Sequence, residues 1–431
     1  MKKIHKQAIV LILMFSIFFT CSPFVHAEDT SVSTDELLGL AILHYYNNIG
    51  TDERPDLDSY FITPLYDNDE EIQYYCVDLF KGNIGKGYVI IAADISNVLC
   101  PEISYEGNSI YYYNAKSGKI NIYFNPFEKY TFKKETKNIS KRFFDSNERE
   151  ISFEEVRGSV VKGDKRQNEE LQSIVAASGA AAPSGSLKKA TFSENPIYYL
   201  EKLNFGNIQP YTYSTLENKM ITAGALDYTM YTKENSTIEF IGVPLPDGTV
   251  LWNEDHCAIT AMSKILAFWR PICCSKYPES INSIFEKVLL KADFLGAFDK
   301  DYIKEEPNDK KGYFKNSYMD NILLSVNASC GYKGRVFYDN HGDFNFLIQQ
   351  IKNYGWPVII GFGTSSFVYS NHAVVAFGYN AVTCEKMGTS YLFRFAKVTD
   401  GLDTTPKYIS WDIVENYNVD SEMWGFCPYG G

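Results

Sequence analysis

The chain has 431 residues, with 41 Lys+Arg against 53 Asp+Glu and a formal charge of −12. That balance excludes a protein that works by gripping phosphate backbones, because each phosphate contact needs a cation, so no nucleic-acid partner is expected. The 45% hydrophobic and 15% aromatic content, with 32 Tyr and 29 Phe, excludes overall disorder, and the length points to two or three domains.

Lys2, Lys3 and Lys6 precede an almost unbroken apolar run from Ala8 to Phe19, and Val25-His26-Ala27 supplies a small-x-small cleavage site before Glu28. Residues 1–27 read as a secretory signal peptide, which predicts a secreted, extracellular product. The apolar run is short for a membrane span, and nothing downstream reaches the roughly 18 consecutive apolar residues a span needs. No stable membrane insertion is therefore expected after signal removal. A retained amino-terminal anchor and a lipid-modified Cys21 are the alternatives.

Thr34 to Tyr46 has helical spacing, with Leu37, Leu38, Ala41, Ile42 and Tyr45 on one face and Ser33 or Thr34 as cap. From Ile72 the period changes to strand, glycine turn and strand through Ala93, and Ser109–Tyr113 with Lys119–Phe124 reads as a second hairpin. Residues 28–128 thus form a small α+β domain. Charge dominates from Lys129 to Gln172, and a run of Ala, Gly, Ser and Pro follows from Ala176 to Ser186. Small residues have little to bury, so 129–190 reads as an exposed linker with a processing site; a surface helix and ordinary loop is the competing reading.

Residues 191–431 read as one larger domain. Ile259, Met262, Leu266 and Trp269 recur at helical intervals after Cys257, with Asp255 as cap and Pro271 as the stop, which predicts a buried amphipathic helix. Asp343–Tyr354 repeats the pattern before Gly355. Pro357–Phe362, His372–Tyr379 and Tyr391–Val398 then read as strands. The five tryptophans, Trp252, Trp269, Trp356, Trp411 and Trp424, are expected mostly in the core.

Eight cysteines follow the signal: Cys76, Cys100, Cys257, Cys273, Cys274, Cys330, Cys384 and Cys427. Their spacing is irregular, with no CxxC pair and no zinc-like Cys/His quartet, so neither a disulfide framework nor a structural metal is expected. One of them stands at a helix entrance. There the unpaired N–H groups and the helix dipole favour a thiolate and are placed to receive an oxyanion. A nucleophilic Cys also needs a base, usually histidine. Of His44, His256, His341 and His372, only His372 opens a buried strand. The competing reading is an inert buried thiol and a histidine that merely caps a strand.

Cys257-Ala258-Ile259-Thr260-Ala261-Met262 and the helix to Trp269 resemble the nucleophile helix of the streptopain family of papain-like cysteine peptidases. Asn371-His372-Ala373 through Gly378-Tyr379 resembles that family's His strand, and Gly85-Lys86-Gly87-Tyr88 through Ala93-Asp94 is similar to its propeptide hairpin. The resemblance implies a papain-like α+β catalytic domain, with the nucleophile helix packed on a twisted antiparallel sheet, preceded by a small α+β prodomain. It further implies a zymogen whose propeptide inhibits it intramolecularly, a protein or peptide substrate, no cofactor and no metal, with Cys257 as nucleophile and His372 as base in a thiolate–imidazolium pair.

The chain departs from the pattern at His256, where Gly is common, and at Lys397–Gly401, in place of an Asn-Trp-Gly segment. Asp400 or Asn380 is then the candidate to orient the imidazole, with an Asp-Gly turn as the other reading of Asp400. With no upstream Gln in place, Asn253 is the candidate oxyanion side chain. The other readings are a cell-wall amidase or transpeptidase on the same scaffold and a catalytically inactive peptidase-like binding protein.

Overall fold

The structure is a computed structural model that describes residues 34–47, 54–126, 128–134, 141–144, 150–153, 156, 158, 160–177, 189–192, 195–213, 216–229, 243–244, 250–251, 256–299, 313–362, 372–386, 388–401, 404–416 and 421–429. The signal segment 1–27, most of the small-residue run, and Ser33, Trp252, Asn253 and Asp255 lie outside them.

The amino-terminal half contains α1 (Thr34–Asn47), β1 (Ser59–Tyr66), β2 (Ile72–Lys81), β3 (Ile84–Ala92), β4 (Glu102–Ser104), α2 (Ile110–Lys116), β5 (Ile120–Asn125), β6 (Glu128–Lys134), β7 (Lys141–Phe144), β8 (Glu150–Ile151), α3 (Lys165–Ala177) and β9 (Ala190–Thr191). Residues 37–47 of α1 are all buried, so this helix is covered on every side. The expected second hairpin is instead a helix followed by a strand. Ser109 caps α2, its Oγ accepting from Tyr112 N at 3.0 Å, and Asp78 on β2 fixes that cap by accepting from Ser109 N at 2.6 Å and Ser109 Oγ at 2.8 Å. The cap outweighs the strand propensity of the three tyrosines that follow.

The 129–190 segment is also more ordered than a linker. It carries β6, β7, β8 and α3, and Leu171 and Val175 of α3 are buried in the same core as α1. On α3, Lys165–Glu169 and Arg166–Glu170 are paired one helical turn apart.

Asp78 is fully buried, and burial raises its carboxyl to about 6. The folded chain therefore binds this proton more tightly than the unfolded chain, and stability falls as pH rises through the window from the ordinary carboxylate range to about 6. Asp78→Asn keeps an acceptor for Ser109 N without the charge. Its unfolding free energy is expected to exceed the parent's at pH 7.5 by about 1–3 kcal/mol, seen as a higher thermal midpoint, and the two midpoints to converge near pH 4.

The carboxy-terminal half contains α4 (Pro196–Leu203), β10 (Gly206–Tyr213), α5 (Glu217–Thr222), β11 (Val243–Pro244), β12 (Val250–Leu251), α6 (Cys257–Trp269), α7 (Ile281–Phe294), β13 (Phe298–Asp299), β14 (Tyr313–Phe314), α8 (Met319–Ser329), β15 (Lys333–Asp339), α9 (Phe344–Ile348), β16 (Val358–Phe362), β17 (His372–Lys386), β18 (Thr389–Thr399), β19 (Lys407–Ser410), α10 (Trp411–Asn416) and β20 (Ser421–Tyr429). The helix expected over Asp343–Tyr354 begins at Phe344, with Asp343 as cap, and widens to a π turn before Gly355 ends it at φ 71°.

Among the described residues a mostly antiparallel sheet of sixteen strands joins both halves, in the order β15-β20-β16-β17-β18-β19-β4-β3-β2-β1-β5-β6-β7-β8, with β10 added against β17 and β9 against β1. The joint is β19 on β4, where Tyr408 pairs with Ile103 and Ile409 with Glu102. Val32–Gly431 is accordingly one unit. The far ends of β17 and β18, including Cys384, Phe393 and Phe395, are buried in the amino-terminal core beneath α1. Trp269, Trp411 and Trp424 are buried and Trp356 packs partly buried against the same core. Cys76, Cys100, Cys274, Cys330 and Cys384 are buried thiols, and the adjacent Cys273 and Cys274 sulfurs lie 3.6 Å apart without a bond.

Candidate active site

Every residue of α6 is buried, so the helix that the sequence predicts as amphipathic is a central core helix. Its polar side chains are absorbed locally: Ser263 donates to Ile259 O at 2.6 Å, and Lys264 donates to Thr399 Oγ1. The helix packs on β16 and β17. Its first residue, Cys257, is 5% exposed and lies in the same core cluster as Ala373, the residue after His372. His256 occupies the N-cap position, its carbonyl accepting the first helical bond from Thr260 N at 2.9 Å. Its ring lies edge-on to Phe285 of α7, 5.4 Å between centroids.

His372 begins β17 opposite Phe362, the last residue of β16. Its Nε2 lies 2.9 Å from the main-chain oxygen of Asp400. A carbonyl only accepts, so Nε2 carries the hydrogen and the neutral ring keeps its lone pair on Nδ1. Asp400 reaches this position because β18 ends one residue earlier at Thr399, paired with Val375. Gly401 then turns the chain at φ 77° into β19.

The Asp400 carboxylate accepts from Lys407 Nζ at 2.6 Å, with the two side chains only 1% and 4% exposed. Asp400 thus serves the Asp-Gly turn and touches the imidazole through its main chain. Asn380 lies eight residues along β17 from His372, roughly 26 Å at strand rise, too far to orient the ring. Asn253 lies outside the described residues.

Burial lowers the His372 imidazole to about 4, against the opposing pull of Asp400, and the ammonium groups of Lys129 and Lys407 lower it further. The Asp400 carboxyl is held well below the usual range: burial pushes it upward, and the charges of Lys407 and Lys129 more than offset this. The low-dielectric setting thus favours the uncharged ring over the cation. Lys129 belongs to β6, so a charge from the amino-terminal half acts on the carboxy-terminal site.

Sequence reasoning missed Lys129, Lys264, Thr399 and Lys407. A lysine two turns after Cys257 in an otherwise apolar helix was the one readable signal, since such a charge must find a buried partner. The other histidines stand apart. His44, buried on α1 and edge-on to Phe393, is lowered to about 3 by burial, and His341 sits in the loop after β15. Among the described residues no cluster of His, Cys, Asp and Glu is arranged to hold a metal ion. A polar cavity of about 320 Å³ lined by His44, Arg394 and Asp412 lies at the seam of the two halves, away from Cys257.

No protein-family model matches the sequence, and no curated protein matches it. Among solved structures, a mutant fragment of prointerpain A from Prevotella intermedia is similar to this chain at a TM-score of 0.34 and 10% identity, over 85% of this chain and 98% of the fragment. That is a weak relation of fold.

Proposed function

We propose that the chain is the precursor of a secreted cysteine endopeptidase of papain-like architecture, with Cys257 as nucleophile and His372 as base. The observation that carries the reading is the His372 ring, held by the Asp400 carbonyl at the start of a strand on which the Cys257 helix packs. With Nε2–H given to that carbonyl, the ring lone pair lies on Nδ1, the atom that takes the Sγ proton in this mechanism. The thiolate adds to a peptide carbonyl, and N–H groups at the start of α6 face the developing oxyanion. The imidazolium then protonates the departing amine, and water, deprotonated by the same ring, releases the acyl group from sulfur. The amino-terminal half acts as the inhibitory propeptide, joined to the catalytic half by the β19–β4 pairing and by the Lys129 charge.

The test is expression of the exported chain with and without Cys257→Ala. The parent is expected to generate a shorter form whose new amino terminus falls within 129–190, and to hydrolyse casein. Cys257→Ala is expected to remain full length and to lose casein hydrolysis to background. Processing that continues in Cys257→Ala refutes the assignment. Cell-wall hydrolysis with casein left intact assigns the same dyad to amidase chemistry, and a properly folded parent inert in both assays points to a binding protein.

A further inference from the structure

Beneath the dyad lies a buried polar layer that a Cys–His mechanism does not by itself require. Lys407, on β19, reaches the Asp400 carboxylate at 2.6 Å, and Lys264, from the nucleophile helix, reaches the hydroxyl of Thr399 one residue earlier. Lys264 is 1% exposed and Lys407 3%, in a core otherwise filled by Ile265, Val375, Ile409 and Trp411. Burying an ammonium is costly unless it is paired, so two such groups on consecutive residues of one turn call for a role at that turn. Asp400, whose side chain is tethered in this way, also carries the main-chain carbonyl that meets His372.

We propose that Lys407 is a positioning residue for the reaction: its buried ion pair clamps the Asp400 side chain so that the main-chain carbonyl, not the carboxylate, takes the His372 N–H and fixes the ring's tautomer. The inference rests on the peptidase reading above. An N–H held by a neutral acceptor leaves His372 a weaker base than one facing an unpaired carboxylate.

The charged groups that act on His372 are Asp400 at the end of β18, Lys407 on β19 and Lys129 on β6, and the helix that begins at Cys257 packs on its strand. Removing Lys407 takes away a cation that opposes the imidazolium and the ion pair that draws on the Asp400 carboxylate, and both changes favour the imidazolium. In full-length Lys407→Met the His372 titration, followed by imidazole NMR, is expected to move upward by about one pH unit or more. After amino-terminal processing by a trace of parent enzyme, its kcat on a fluorogenic peptide is expected to fall at least about tenfold with KM little changed, as for a loss of orientation.

Asp400→Asn with Lys407→Met removes both charges together, which protects folding where the single change does not. It is expected to return the titration close to the parent's while kcat stays low, because the clamp is still missing. Lys407→Arg, which keeps the ion pair, is expected to retain most of the parent's kcat. A double variant with the parent's kcat, or a Lys407→Met chain with unmoved titration and kcat, overturns the proposal while leaving the peptidase reading intact. A parent without peptidase activity refutes that reading instead, and the His372 titration in Lys407→Met still decides whether the clamp exists.

Discussion

His372→Ala is expected to lower peptide hydrolysis by about 10²–10⁴-fold, the range general-base removal costs, without unfolding the chain. His372 opens a strand and its Nε2–H goes to the Asp400 carbonyl, so truncation frees a main-chain acceptor at the strand end. The thiol remains present in the variant. Alkylation by iodoacetamide is expected to continue, but with a rate that rises only as pH approaches an ordinary cysteine's value of about 8.5, because no base remains to share the proton. A variant that keeps the parent's hydrolysis rate removes His372 from the mechanism.

In the proposed mechanism the same side chain sets the acid limb. Burial lowers its imidazole to about 4 in the full-length chain. Release of the amino-terminal half removes the Lys129 charge. That change favours the cation, so the limb is expected to lie higher in the processed enzyme. His44 works in the opposite part of the molecule with a related sign. Buried and lowered to about 3, it binds a proton more readily once unfolded, so its contribution to holding α1 against Phe393 weakens as pH falls below its ordinary value near 6.5. Acid thus loosens the cover of the core that the two halves share.

What the sequence disclosed follows from which interactions are local. The α6 boundaries and the strands around His372 were readable because apolar periodicity and Pro271 are chain-local signals, and α6 spans Cys257–Trp269 as expected. The tyrosine run after Ser109 misled because its conformation is decided by Asp78, thirty-one positions away on another strand. The charged 129–190 stretch misled for a related reason. Charge content marks a solvated face, and Leu171 and Val175 are enough to seat the other face of α3. At the site, residue type suggested Asp400 but not the atom it uses. The competitor for its carboxylate is Lys407, which reaches it only through the β18–β19 turn.

Gly87→Ala is expected to be the most damaging single-methyl change in the amino-terminal half, costing at least about 4 kcal/mol. Gly87 has φ +110°, a conformation L side chains rarely adopt, and an added Cβ would lie 2.0 Å from Ser104 O and 2.7 Å from Tyr105 Cα. Both are main-chain atoms of the neighbouring strand, so no rotamer change relieves the overlap, and β3 must separate from β4. The damage does not stop there, because β4 is the strand on which β19 pairs and therefore the seam between the halves. Gly82→Ala is the matched control, with φ +57° and nothing within 4 Å of the added carbon, and is expected to cost only about 1–2 kcal/mol. Limited proteolysis of the Cys257→Ala chain, which cannot process itself, is the readout: Gly87→Ala is expected to expose the amino-terminal half to cleavage at conditions where Gly82→Ala is protected. Equal protection of the two would mean that β4 is not needed to keep that half in place, and with it would go the route by which the Lys129 charge is held at His372.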